Sequence, residues 1–182
     1  MAGAERERAL AVVAGGEAAA AAGTAAGPDT APLAIAPEER DLVMEEIGAV
    51  AGALHDPAAR AAYAGLAAAV AGGEVAADLA GPLARVLEMS LATGRARRLH
   101  GAEHEAALRR LFFRTPAGAA LQRSAAAATA ALSALAGQRL DAVTVSAQAP
   151  GVFRLELDTD RCQLSLDVGR DGVEVASLGV GI

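Results

Sequence analysis

From Phe153 to Val168 apolar and polar side chains alternate. Phe153, Leu155 and Leu157 fall on one side, and Arg154, Glu156 and Asp158 on the other. Beyond Thr159-Asp160 the pattern resumes, with Cys162, Leu164, Leu166 and Val168 opposed to Arg161, Gln163, Ser165 and Asp167. A period of two is that of a strand buried on one face. Ala149-Pro150-Gly151, Thr159-Asp160 and Gly169–Gly172 form turns between these runs. Val143-Thr144-Val145 precedes them and Val173-Glu174-Val175 follows. The pattern predicts a four-stranded antiparallel β-meander over about residues 140–182, with one greasy face and one wet face. Something must cover the greasy face, and the helical segment just upstream, carrying Leu121, Leu132 and Leu135, is the natural lid.

Upstream of that point the text is different. Ala supplies 51 of the 182 residues, yet only Ala176 follows Ala149. Between Pro37 and Gly137 apolar residues recur at spacings of three and four, the helical period. The first helix begins at Pro37, with Glu38 and Glu39 facing its positive end. Its stripe is Leu42, Val43, Ile47, Val50, Ala51 and Leu54. His55-Asp56-Pro57 ends it and starts a second, with Asp56 as cap and Pro57 at the first helical position. Gly72-Gly73 stops the second. A third is expected over Glu74–Thr93, kinked or broken at Gly81-Pro82 because proline lacks an amide hydrogen. A fourth covers about Ala102–Arg114, and a fifth Ala117–Ala136. The expected class is α+β: an Ala-rich layer of about four to five helices, then the meander. In domain terms, residues 1–37 read as a tail or linker, disordered or partly helical, and residues 38–182 as one domain, helical over 38–137. Gly23–Pro37 holds three prolines and no periodicity, as an extended linker would.

Charge narrows the function classes. The net charge of -6 disfavours nucleic acid and anionic lipid as partners of the whole surface. No run of about 18 apolar residues exists to span a membrane. The N-terminal Glu5, Arg6, Glu7, Arg8 alternation lacks the positive excess of a signal peptide, so an untargeted, cytoplasmic chain is expected. Lys and Asn are absent and all 16 basic residues are Arg, a usage expected of a GC-rich bacterial genome. Cys162 is the sole cysteine, which excludes an intrachain disulfide. Its alternation with leucines reads as a small core residue.

His100-Gly-Ala-Glu103-His104 matches H-x-x-E-H, the zinc pattern of inverzincin peptidases. Two imidazoles four residues apart on a helix could share an ion, with Glu103 as base and Glu174, Glu156 or Asp158 as a third ligand. Against this, Gly101 weakens any helix that must hold both rings. His100 and His104 also fall in line with Leu108 and Leu111, where packed, hydrogen-bonded histidines are expected. The reading preferred on sequence is therefore packing, with no cofactor. A second cluster is electrostatic. Arg95, Arg97, Arg98, Arg109, Arg110 and Arg114 lie within twenty positions, an anion-binding patch or, on the simpler reading, a solvated face with Glu105 paired to Arg109.

The function expected from these features is a non-enzymatic interaction, accessory or self-assembling module. Its partner is an unknown protein or a second copy of the chain, and no small-molecule substrate is evident. The expected interface is the apolar last strand, with Val173, Val175, Leu178 and Val180 at an open sheet edge. The alternatives are a metal-dependent hydrolase using His100, Glu103 and His104, and an anion or nucleic-acid binder using the arginines.

Overall fold

The computed structural model describes residues 31–180; of the tail expected over 1–37, residues 1–30 lie outside them. Six helices precede a four-stranded antiparallel sheet, the α+β order that the two periodicities predict. The helices are α1 (Pro37–Ala53), α2 (Pro57–Gly72), α3 (Ala77–Thr93), α4 (Arg95–His100), α5 (Ala102–Arg114) and α6 (Pro116–Ser133). The sheet runs β3 (Leu140–Ala149), β4 (Val152–Thr159), β5 (Cys162–Gly169) and β6 (Gly172–Val180), each strand paired with the next. A small ladder, β1 (Leu33–Ala34) with β2 (Glu74–Val75), sits apart from it. None of the described helices is long and apolar enough to cross a membrane.

Local chemistry sets the helix ends. The Ala36 amide donates to Glu39 Oε2 at 3.0 Å, with Pro37 in the first turn of α1. Asp56 Oδ1 accepts from the Ala58 amide at 3.0 Å and caps α2. Gly73 closes α2 at φ 85°, a left-handed conformation that favours glycine. Three details depart from the sequence pattern. Leu33–Ala34, expected within the linker, pairs with β2, and Ile35 is buried in the helical core. Helix α3 begins three residues late, after β2, and runs through Pro82 without a break. Pro82 is only the sixth residue of α3, so it costs one hydrogen bond, while Leu83, Val86 and Leu87 anchor the helix in the core. Arg95–His100, assigned to no element from sequence, forms α4.

There are two cores. The larger joins α1, α2, α3, α4 and α5 through Val43, Ile47, Leu66, Val70, Leu83, Leu87, Ala96, Leu108 and Leu111. The smaller holds Leu157, Leu164 and Leu166 of the sheet, with Ala131 and Leu135 packed on them. Helix α6 thus roofs the sheet, as expected of it, but it lies along β6 and β5. Ser124 of α6 donates to the Val173 carbonyl at 2.7 Å and accepts from the Val173 amide at 2.8 Å. Both edge groups of Val173 are therefore satisfied.

On the wet face Arg154 and Asp167 stand opposite each other in the register. Arg154 Nε and Nη2 donate to the two Asp167 oxygens at 2.8 and 2.7 Å. That hydrogen bond, helped by the charge of Arg154, holds the Asp167 carboxyl below its ordinary pKa, with desolvation opposing it. The folded state thus binds this proton less readily than the unfolded chain. Its contribution is present above about pH 4 and fades as pH falls through the lowered value. Denaturation midpoints of wild type and Asp167→Asn are accordingly expected to differ at pH 7 and to converge on acidification below pH 4. A gap that stays constant down to pH 2.5 would contradict the assignment.

Candidate functional site

Helix α1 carries an anomaly on its buried side. Glu46 lies between Leu42 and Val50 at spacings of four, and it is 1% exposed. Its Oε2 accepts from Arg95 Nε at 3.2 Å, but its buried Oε1 has no partner. Such an orphaned acceptor costs on the order of 1–3 kcal/mol, more for a charged group.

The side chains that meet Glu46 are the two histidines. His100 ends α4 and His104 lies in the first turn of α5, with Gly101 between them at φ 89°. No single helix holds both rings. The glycine makes a corner that brings them face to face, with centroids 4.3 Å apart and planes 20° from parallel. Ligand atoms of Glu46, His100 and His104 all lie within 4.8 Å of one another. His104 is buried and its Nε2, like Glu46 Oε1, has no hydrogen-bond partner. Burial pushes the His104 pKa down and His100 pushes it further, while Glu45 and Glu46 oppose them. His100 Nε2 lies 2.8 Å from Glu45 Oε1.

The pattern's own acid is not in this cluster. Glu103 is exposed. Glu156 and Asp158 lie on β4 and Glu174 on β6. Among the described residues, the acid that joins both imidazoles is Glu46. The sequence signal for it is a charged residue inside the apolar stripe of α1.

The arginines largely turn inward to acids. Arg95 pairs with Glu46 and reaches Glu45 at 3.9 Å; Arg97 and Arg109 both pair with Glu105; Arg114 pairs with Glu39 at 2.9 Å. Arg98 and Arg110 make no ion pair among the described residues. Four of the six charges are thus compensated, leaving little field for an anion. Cys162 is buried, its Sγ 3.1 Å from Gln138 Oε1.

A second feature lies on the sheet. The register sets Val143 and Val145 of β3 opposite Leu157 and Leu155, and Phe153 opposite Val168, all on the apolar face. Since α6 lies along β6 and β5, and Leu157 of β4 is buried beside them, the face is left bare along β3 and at Phe153. Val143 is 52% exposed, Val145 65% and Phe153 47%. Of the expected interface residues, Val173 and Val175 are half-buried against Leu164 and Leu166, and Leu178 is exposed. Val180 is the last residue of β6, and its side chain lies outside those described. Among the described residues, Val143, Val145 and Phe153 thus form an exposed apolar group at the rim opposite the one the sequence suggests. No protein-family model, curated protein or solved structure matches the chain.

Proposed function

We propose that the protein is a non-enzymatic interaction module that pairs with a second copy of itself through β3 and the bare part of the sheet's apolar face. The observation that carries this reading is the exposure of Val143, Val145 and Phe153 on the face that α6 covers along β6 and β5. Edge strands usually carry a lysine, a proline or an inward charge that deters pairing. Among the ten residues of β3 the only charge is Asp141. The irregularities in its register fall at the two ends, between Leu140 and Ala142 and between Ala147 and Ala149. The stretch between them is regular, with its outer backbone groups available to another strand.

The strand is suited to pairing with itself. An antiparallel partner centred on Val145 would set Val143 opposite Ala147, within the regular stretch. Val143, Val145 and Ala147 stay on one face and no two acids meet. Edge β6 is less suited, because Ser124 occupies Val173. The full-length chain is expected to sediment as a dimer at about 10–100 µM, within the affinity range of modest interfaces. Val145→Lys, which places a charge on the bare face without touching a buried residue, is expected to sediment as a monomer of unchanged circular dichroism. A wild type that remains monomeric across that range overturns the proposal, as does a dimer indifferent to Val145→Lys.

A further inference from the structure

We propose that Glu46, His100 and His104 form a binding site for one divalent transition-metal cation of the zinc class. The site is independent of sheet pairing. It differs from the linear H-x-x-E-H reading in taking its third ligand from α1 rather than from Glu174, Glu156 or Asp158, and it gives Glu103 no part. Two observations of different kinds support it. The first is convergence: three residues from α1, α4 and α5, with Glu46 more than fifty positions from either histidine, bring their ligand atoms within 4.8 Å. The second is that two of those residues are buried and hold polar atoms with no partner, Glu46 Oε1 and His104 Nε2. A cation between them would satisfy both. Packed histidines, the simpler reading, leave both unpaired.

The donor set selects the ion. Two imidazoles and one carboxylate suit zinc, cobalt(II) and nickel(II), whereas calcium and magnesium favour all-oxygen shells. A tetrahedral zinc with bonds of about 2.1 Å sets its ligands about 3.4 Å apart. Closing from 4.8 Å therefore asks for a shift of up to about 1.4 Å, and the stacked rings must also turn so that each aims a lone pair in its own plane at the ion; His100, 28% exposed, is the ring at the open side. The surrounding groups fit as well. Arg95 engages Glu46 Oε2, which leaves Oε1 as a single ligand oxygen. Glu45 beside His100 Nε2 is placed as the carboxylate that orients a ligating histidine, leaving Nδ1 as that ring's lone-pair nitrogen. With both imidazoles neutral, Glu45, Glu46 and Arg95 sum to one negative charge, which favours a cation. A fourth position is left to water.

The test is calorimetric titration of zinc chloride into chelator-stripped, full-length protein, with cobalt(II) absorption as a second readout. One equivalent is expected to bind with a Kd of about 1 µM or tighter. Cobalt is expected to give the visible bands of a four- or five-coordinate nitrogen–oxygen site. Glu46→Gln and His100→Gln should each weaken zinc by at least about 100-fold, Glu45→Gln by about 10-fold, and Glu103→Gln not at all. His100 is exposed, so its variant is expected to fold even if Glu46→Gln does not. Absence of saturation below 100 µM zinc overturns the proposal. So does binding that survives His100→Gln, or binding that depends on Glu103.

Discussion

Replacing Gly118 with alanine is expected to destabilise the protein by about 3 kcal/mol, at the upper end of what overpacking usually costs. The reason lies in the α5–α6 junction. Thr115 is fully buried there; its hydroxyl donates to the Phe112 carbonyl at 2.7 Å and accepts from the Gly118 amide at 3.2 Å. This draws the first turn of α6 onto the last turn of α5. A β-carbon on Gly118 would stand 2.0 Å from the Phe112 oxygen and 2.7 Å from the Phe113 α-carbon. Both are backbone atoms and cannot step aside as a side chain can, so the junction must open. Gly65, in the middle of α2, provides the contrast. A β-carbon there meets nothing within 4 Å, so Gly65→Ala is expected to stabilise by about 0.5–1 kcal/mol through helix propensity alone. Urea denaturation of the two variants separates the cases by sign. A Gly118→Ala protein as stable as wild type would mean that the junction is looser than described.

Leu164→Ala is expected to cost about 3–4 kcal/mol, within the usual range for a fully buried leucine. Its consequence should also be uneven across the molecule. The sheet's buried cluster consists of Leu157, Leu164 and Leu166, and it shares no residue with the cluster among the helices. Removing the central leucine takes away a large share of what holds the sheet against Ala131 of α6 and Leu135 just beyond that helix. Amide exchange is therefore expected to accelerate throughout β3–β6 while α1, α3 and α5 keep their protection. Leu87→Ala, in the helical cluster, should show the reverse emphasis. Uniform acceleration in Leu164→Ala would show instead that both layers open as one unit.

The meander was legible because its cause is local. Alternation at period two specifies which side chains share a face whatever lies above it, and the observed pairings of Leu155 with Leu166 and Leu157 with Leu164 follow that alternation. The helix boundaries at Asp56-Pro57, Gly73 and Thr115-Pro116 were legible for a similar reason, since caps and stops act within one turn. The short β1 was hidden because two residues carry no period, and its partner Glu74–Val75 lies some forty positions away. Likewise α4 is too short to display a helical stripe.

The sequence by itself thus determined the class, the order of layers and which faces are apolar, because those follow from short-range periodicity and capping. Tertiary structure decided how far the lid extends: α6 follows β6, Ser124 fastens it there, and Val143, Val145 and Phe153 are left bare. It also decided what the two histidines meet. Glu46 is fifty-four residues from His100, and only the packing of α1 against the α4–α5 corner sets a buried carboxylate beside stacked imidazoles. Periodicity records which side of a helix turns inward, but not which side chain of another helix waits there.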